Sequence, residues 1–594
     1  MWLVGQARGI KWDSCRFGAL REKRTTLLKA VLRLSLKTIG GHMDYFDIDG
    51  FGRDVTTNSP EAQLWFNRGL TWCFAYAHEE ADACFRRAIE ADPDCALAHW
   101  GLAYAVGPNY NLPWELRDER MMSDSLTVAF DAMESARACS NVTNAEASLI
   151  KALATRFPQR TPADKDTMRG WNNDFADAMR AVHQEFPADL DVRHCLVEAL
   201  MNLTPWRMWD METGKPASNA ATLEAQKLCE DAMRDDPGTW NHPGLLHLYV
   251  HLMEMSPTPE KALKAGDVLR DMIPDAGHLT HMPTHIDVQC GNYLDTLYWN
   301  QRAMAVDAKY KARNGSANIY TGYRIHNTHF AAYGAMFLGQ LEPARAAAAS
   351  LREDVPKELL EITSPPMANF FEAYADVGDH ALIRFGRWQE IIDLPMPDDP
   401  DIYRNLTTIR HYAKGVAYAA TGDVENAEIH EALFHEARKH VPEARRLHNV
   451  ACWEKYEVAE CMLKGEIEYR KGNFDLAFEQ LRLSVAREDA LPYDEPWGWM
   501  QPTRHALGAL LLEQGHVEEA EAVFREDLGL GGSIPRPQIH PDNVWALRGL
   551  FDCLKAKGKE DGNEGRLIAQ RLKYANARAD IPVNASCFCA QAAN

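Results

Sequence analysis

Apolar and small residues recur along the chain at helical spacing, in blocks of roughly thirty-four residues separated by short polar turns. In residues 62–95 the bulky Trp65, Trp72 and Phe85 alternate with the small Gly69, Ala81 and Ala88, and Pro93 closes the block. Small side chains let two antiparallel helices approach, bulky ones fill the remaining gap, and proline ends the second helix. ALAHWGLAYA (96–105) opens another block. The same register returns at Gly415, Tyr418, Gly422 and Ala427, at Gly465, Gly472 and Ala477, and at Gly508, Leu511, Gly515, Ala520 and Phe524. A last helix pair starts near Asn543, and no stretch alternates in the way that predicts a strand. Proline-rich breaks at 204–217, 354–366 and 394–401 read as connections between units.

This spacing resembles the tetratricopeptide repeat (TPR). The resemblance implies an all-α fold, an α-solenoid in which helix pairs stack into a right-handed superhelix, over residues 43–580. Residues 581–594 read as a C-terminal tail. Residues 1–42 read as a basic N-terminal extension, with nine lysines and arginines against Asp13 and Glu22. That segment is expected to be disordered or to act as a mitochondrial-type transit segment.

The whole chain carries a formal net charge of −21, which disfavours a nucleic-acid partner. No apolar run is long enough to predict a membrane span. The 13 cysteines are scattered without CxxC pairs, and Cys73, Cys84 and Cys95 sit eleven apart, a repeat-packing interval. A reducing, cytoplasmic setting is expected, or a mitochondrial one if residues 1–42 are a transit segment.

The histidines change the picture from a generic repeat protein. WNHPGLLHLYVHLMEMS (240–256) holds His247, His251 and Glu254; AGHLTHMPTHID (276–287) holds His278, His281 and His285; YRIHNTHFAAYG (323–334) holds His326, His329 and Tyr333. In the repeat register these residues fall at positions 2, 5, 9 and 12 of three successive first helices, one stripe of an α-helix. By resemblance to the TPR architecture, that stripe faces the concave groove. Each histidine alone reads as an ordinary half-buried polar residue. Seven on one stripe predict a transition-metal site, because imidazole is the commonest ligand for such ions and one carboxylate beside it suits Cu, Fe, Zn or Ni better than Mg or Ca. Seven candidates leave room for two ions. A hydrogen-bonded polar groove without metal is the alternative.

Further candidates line the neighbouring units. Glu254 and Glu198 are the expected proton-transfer groups. Trp100, Tyr104, Asn109, Asn111 and Tyr333 are expected to shape a substrate pocket. YDEPWGWMQPTRH (493–505) offers Glu495, two tryptophans and Arg504 for an anion or a flat molecule. HLYVHLME lacks the glutamate of an HExxH zinc-protease motif, and neither a Walker loop nor a GxSxG elbow is present.

The phrases AHWGLAYAVGPNYN (98–111), EALMNLTPW (198–206), HPGLLHLYVHLMEMS (242–256), GHLTHMPTHI (277–286), HNTHF (326–330) and RFGRW (384–388) resemble an uncharacterised family of microbial TPR-repeat proteins, over residues 55–580. The resemblance implies one long solenoid in which His247, His251, Glu254, His278, His281 and His285 act as a unit, and it implies no named reaction. The expected function is a metal-dependent enzyme acting on a small organic molecule in the groove. Oxidative chemistry at Cu or Fe is favoured over hydrolysis at Zn. The alternatives are a scaffold binding a short peptide in the groove without catalysis, and a metal store or sensor.

Overall fold

The computed structural model describes residues 45–591. The chain forms two units, Met1–Asp47 and Ile48–Asn594. Only Tyr45–Asp47 of the first are described, so the expectations for residues 1–42 lie outside the described residues.

The second unit is a succession of antiparallel helix pairs. They include Pro60–Phe74 with His78–Ala91, Arg404–Ala420 with Val424–Ala437, Cys452–Arg470 with Phe474–Asp489, Thr503–Glu513 with Val517–Asp527, and Val544–Ala556 with Asn563–Asn576. The first helix starts at a Ser59 cap, whose hydroxyl accepts the Ala62 N–H, with Pro60 in the first turn where its missing N–H costs nothing. Within a pair the small-against-bulky rule is obeyed physically. A Cβ on Gly69 would fall 2.7 Å from the Phe85 ring, on Gly465 2.7 Å from Leu481, and on Gly508 2.5 Å from Phe524. These close approaches recur at one sequence interval and define the TPR-type architecture.

The turn inside each pair needs a left-handed residue. Gly422, Gly472, Gly515 and Gly558 supply it with φ between 63° and 88°. In the first pair the same place is held by Tyr76, at φ 55°. A side chain there costs about 1–2 kcal/mol relative to glycine.

Long connections leave the pairs and meet one another. Arg120 Nη2 donates to the Ser364 carbonyl at 2.5 Å, and Ser364 Oγ to Asp118 at 2.8 Å. Two short antiparallel ladders lie within such connections, Trp209–Asp210 with Lys215–Pro216 and Arg446–Leu447 with Val450–Ala451. They depart from the strand-free expectation because two-residue ladders are too short to leave an alternating pattern. The tail is not a loose appendage through Gln591: Arg384 Nη2 donates to the Ser586 carbonyl at 2.6 Å and Phe588 packs edge-on against Trp545. Cys73, Cys84 and Cys95 are buried in packing positions, as their spacing predicts. Cys587 and Cys589 form a disulfide. Among the described residues no helix is long and apolar enough to cross a membrane.

Candidate metal centre

Three helical segments, separated in the chain by the helices Leu263–Leu269 and Tyr293–Asn314, bring the histidines together. The helix Pro243–Met253 begins at His242, whose Nδ1 accepts the Leu245 N–H at 3.1 Å, with Pro243 at its first position. Every residue of that helix is buried, including His247 and His251, four apart on one face. The next segment is broken at Met282–Pro283 into Gly277–His281 and Pro283–Gln289, which carry His278 with His281 and His285 respectively. His326 stands near the start of the helix Thr321–Leu338.

Two three-histidine clusters result. In one, His285 Nε2 lies 2.9 Å from His281 Nε2 and 3.3 Å from His326 Nε2. Nitrogens about 2.0–2.1 Å from a common ion, at tetrahedral to octahedral angles, stand roughly 2.9–3.4 Å apart. The other cluster is His247, His251 and His278, whose ligand atoms lie within 4.8 Å of one another.

The outer nitrogens fix the tautomers. Asn300 Nδ2 donates to the Thr296 carbonyl at 2.7 Å and to Thr284 Oγ1 at 3.0 Å. Its oxygen therefore faces His281 Nδ1, at 2.6 Å, and that nitrogen carries the proton. His281 Nε2 is left with a bare lone pair. His285 Nδ1 lies 2.6 Å from Glu495 Oε2 and 2.9 Å from Glu254 Oε2, both off the axis of a straight hydrogen bond. With Glu495 and Glu254 ionised, Nδ1 of His285 must hold the proton, and two bare lone pairs then face each other at 2.9 Å. A cation between them relieves that repulsion. With one carboxyl protonated, its O–H faces Nδ1 and the His285 Nε2–H closes the contact to His281 instead. A metal-ligating histidine whose other ring nitrogen is held by a carboxylate or amide oxygen is the usual outer arrangement of such a centre.

Burial sets the protonation states. It pushes His247, His251, His278, His281 and His326 well below the ordinary imidazole range, with neighbouring imidazoles adding to the effect. These rings are neutral, the form that binds metal. Burial raises the Glu254 carboxyl to about 7, against the opposing pull of His285. It raises Glu495 to about 8, against the Tyr493 hydroxyl and the Gln289 amide that donate to it.

A cavity of about 980 Å³ opens on this group. His251, His278, His285 and His326 form part of its wall, and Trp206, Tyr323, Phe371, Tyr374, His448 and Tyr493 form another. Trp206 lies edge-on to His448, with centroids 4.8 Å apart, and 5.8 Å from His251. His448 is held by Asp494, Nδ1 to Oδ1 at 2.5 Å.

The remaining candidates divide. Asn111 lines the cavity. Asn109 instead shapes its loop, its side-chain oxygen accepting the Asn111 and Leu112 backbone N–H groups. His329 belongs to neither cluster; its Nε2 lies 2.7 Å from Met500 Sδ. Tyr333 meets His540, hydroxyl to Nε2 at 3.2 Å. A helix rises 1.5 Å per residue, so the stripe on Thr321–Leu338 runs out of the cluster after His326. Glu198, Trp100 and Tyr104 do come together, but in a separate buried group: Tyr104 stacks on Trp100 and donates to Glu198, which also accepts from Asn202 Nδ2 at 2.9 Å. Glu198 belongs to none of the metal-ligand clusters among the described residues, whereas Glu254 belongs to one.

Glu495 was visible in sequence only as part of an aromatic-rich segment. His448, Asn300, Tyr76, Tyr110 and Trp206 gave no local signal as neighbours of the histidines. Tyr76 sits 4.6 Å from the His247 ring and stacks on His251 and His278 at 5.7 and 5.4 Å.

The sequence matches the tetratricopeptide repeat over residues 77–95. No match was found among curated proteins. Among solved structures, the chain is similar to the APC/C hetero-tetramer Cut9–Hcn1, with 12% identity over 91% of this chain and 97% of that one, at a TM-score of 0.26. It is also similar to yeast Tom70, with 12% identity over 86% and 92% of the two chains, at a TM-score of 0.23. At these scores the repeat architecture rests on the helix-pair packing described above.

Proposed function

We propose that this TPR-type repeat protein binds a transition metal at His281, His285 and His326 and acts on a small organic molecule held in the adjoining cavity. The observation that carries the reading is the approach of His285 Nε2 to His281 Nε2 at 2.9 Å and to His326 Nε2 at 3.3 Å, with His281 Nδ1 set by Asn300. An all-imidazole donor set suits Cu, Fe or Zn. Redox chemistry at Cu or Fe is the favoured class, with Zn-assisted hydrolysis second. When bound, the ion would be held by His281, His285 and His326 and would supply Lewis-acid or redox chemistry beside the cavity. The chain's own groups do the rest. Trp206, Tyr323 and Tyr374 orient an apolar or flat substrate, burial excludes bulk water, and Glu254 and Glu495 hold protons beside His285 Nδ1.

A second reading is a scaffold that binds a protein partner without catalysis. The repeat match over residues 77–95 and the helix-pair architecture favour it. Against it, the cavity is ringed by loops tied to one another, including Ser364 to Asp118 and Asn449 Nδ2 to the Tyr493 carbonyl at 3.3 Å.

Elemental analysis of protein purified without an affinity tag separates the two. Near-stoichiometric Cu, Fe or Zn that falls on His281→Ala or His326→Ala supports the metal reading. Wild-type protein that is metal-free and takes up none of Cu, Fe, Zn or Ni on titration overturns it, and the scaffold reading takes its place.

A further inference from the structure

The second cluster is built as carefully as the first. His247 Nδ1 donates to the Phe74 carbonyl at 2.7 Å, which leaves Nε2 unprotonated, and that nitrogen is buried without a protein partner. His251 Nδ1 lies 3.2 Å from Glu254 Oε1, and its Nε2 is likewise buried and unpartnered. Both nitrogens of His278 are in that condition, in a residue 1% exposed. Buried polar atoms in folded proteins nearly always have partners. A neutral imidazole keeps one N–H, so the group presents one buried lone pair from each of its three rings, and three lone pairs with no donor point to a ligand that accepts them.

Tyr76 supplies an independent sign. It occupies the left-handed turn position that glycine holds in other pairs, and its ring stacks on His251 and His278. Backbone strain kept at a packed position gathers at functional sites. Here it closes one wall of the cluster.

Glu254 joins the two clusters. Its Oε1 faces His251 Nδ1 and its Oε2 faces His285 Nδ1 at 2.9 Å, so one carboxylate orients a ligand of each. The ring centroids of His251 and His285 are 6.0 Å apart, and those of His278 and His281 are 5.8 Å apart.

We infer that His247, His251 and His278 form a second transition-metal position, and that the cavity is served by a two-ion centre whose halves share Glu254 as their common orienting group. This rests on the reading of the first cluster as a metal site, and the test keeps the two apart. Copper(II) is the probe: full-length untagged protein is loaded with it, freed of excess by gel filtration and assayed for copper per chain. The variants are the doubles His247→Ala with His278→Ala and His281→Ala with His326→Ala, with circular dichroism reporting the fold. The expected result is two coppers in the wild type and one in each double variant. Glu254→Gln is expected to weaken uptake at both positions about 10–100-fold. If a double variant fails to fold, His247→Gln, closer in volume and polarity, replaces it. One copper in the wild type that survives loss of His247 and His278 overturns the second position and leaves the first standing. One copper lost with His247 and His278 but retained without His281 and His326 supports the second position and overturns the first. No copper in the wild type overturns both.

Discussion

Glu495 Oε2 lies 2.6 Å from His285 Nδ1, a contact between a loop after the Phe474–Asp489 helix and a helix near the middle of the chain. Glu495 is 2% exposed and is itself held by the Gln289 amide at 2.7 Å. Glu495→Gln keeps the volume but replaces a carboxyl that can ionise beside His285 Nδ1 with an amide that cannot. Copper or zinc affinity is expected to fall about 10–100-fold with the fold intact. Isothermal titration of the metal-free protein checks this, and unchanged affinity shows that the carboxylate does not orient the ring.

Removing ligands and removing neighbours are expected to differ sharply. His281→Ala and His326→Ala lower metal content, because the ion loses a nitrogen and regains only water. His329→Ala is expected to keep wild-type content, since its ring faces Met500 and Tyr374. His99→Ala is a control: this half-buried residue lies outside both clusters, its Nε2 3.0 Å from the Pro93 carbonyl. Metal content that fell as far in His329→Ala as in His281→Ala would relocate the centre.

Metal-free protein is expected to lose stability as pH falls below about 6.5. Five cluster imidazoles have folded pKa values well below their unfolded ones, so the unfolded chain binds more protons there. Each contributes a loss of about 1.4 kcal/mol per pH unit until its folded pKa is reached. Glu254 and Glu495 work the other way. Raised to about 7 and about 8, they cost stability as pH climbs from about 4.3 toward those values. Between pH 4.5 and 6.5, a window of roughly two units, five imidazoles outweigh two carboxyls. Thermal melts of the apo protein at pH 7 and pH 5.5 read the sign; a higher melting temperature at the lower pH contradicts it.

Tyr76→Gly restores the glycine found at the same turn of other pairs, and the two consequences oppose. Relief of the left-handed strain gains about 1–2 kcal/mol, while deleting a buried aromatic costs about 3–5 kcal/mol. A net destabilisation of roughly 2 kcal/mol is expected, together with weaker copper uptake at His247, His251 and His278. Denaturant unfolding and copper titration read the two effects separately. A stabilised variant with unchanged uptake shows that the ring has no part in the cluster.

The architecture was legible because TPR-type pairing is local. Gly69 and Phe85 belong to adjacent helices of one pair, so their size complementarity is written at a fixed interval and needs no distant partner. The same holds for the histidine ladder: helical periodicity alone puts His247 with His251 and His278 with His281 on common faces, and the repeat register stacks those faces. Periodicity has no end marker, however, and so it also swept in His329 and Tyr333, which lie further along the same helix than the cluster reaches.

What the tertiary structure decided is whatever depends on segments remote in sequence. Glu495 and Gln289 are 206 residues apart, and Tyr76 reaches His247 through a turn in the first helix pair. Neither pairing leaves a local pattern, because only the arrangement of the whole array of pairs, and of the loops between them, sets which ends meet. The division of the histidines into two clusters also lies beyond the sequence. It follows from which neighbouring helix each ring meets, His278 facing His247 and His251 while His281 and His285 face His326, and from the two oxygens of Glu254, which face different rings. Residue type and spacing determined the candidate ligands of this protein; which nitrogen His247, His251 and His281 each offer was fixed by partners that only the folded chain brings within hydrogen-bond range.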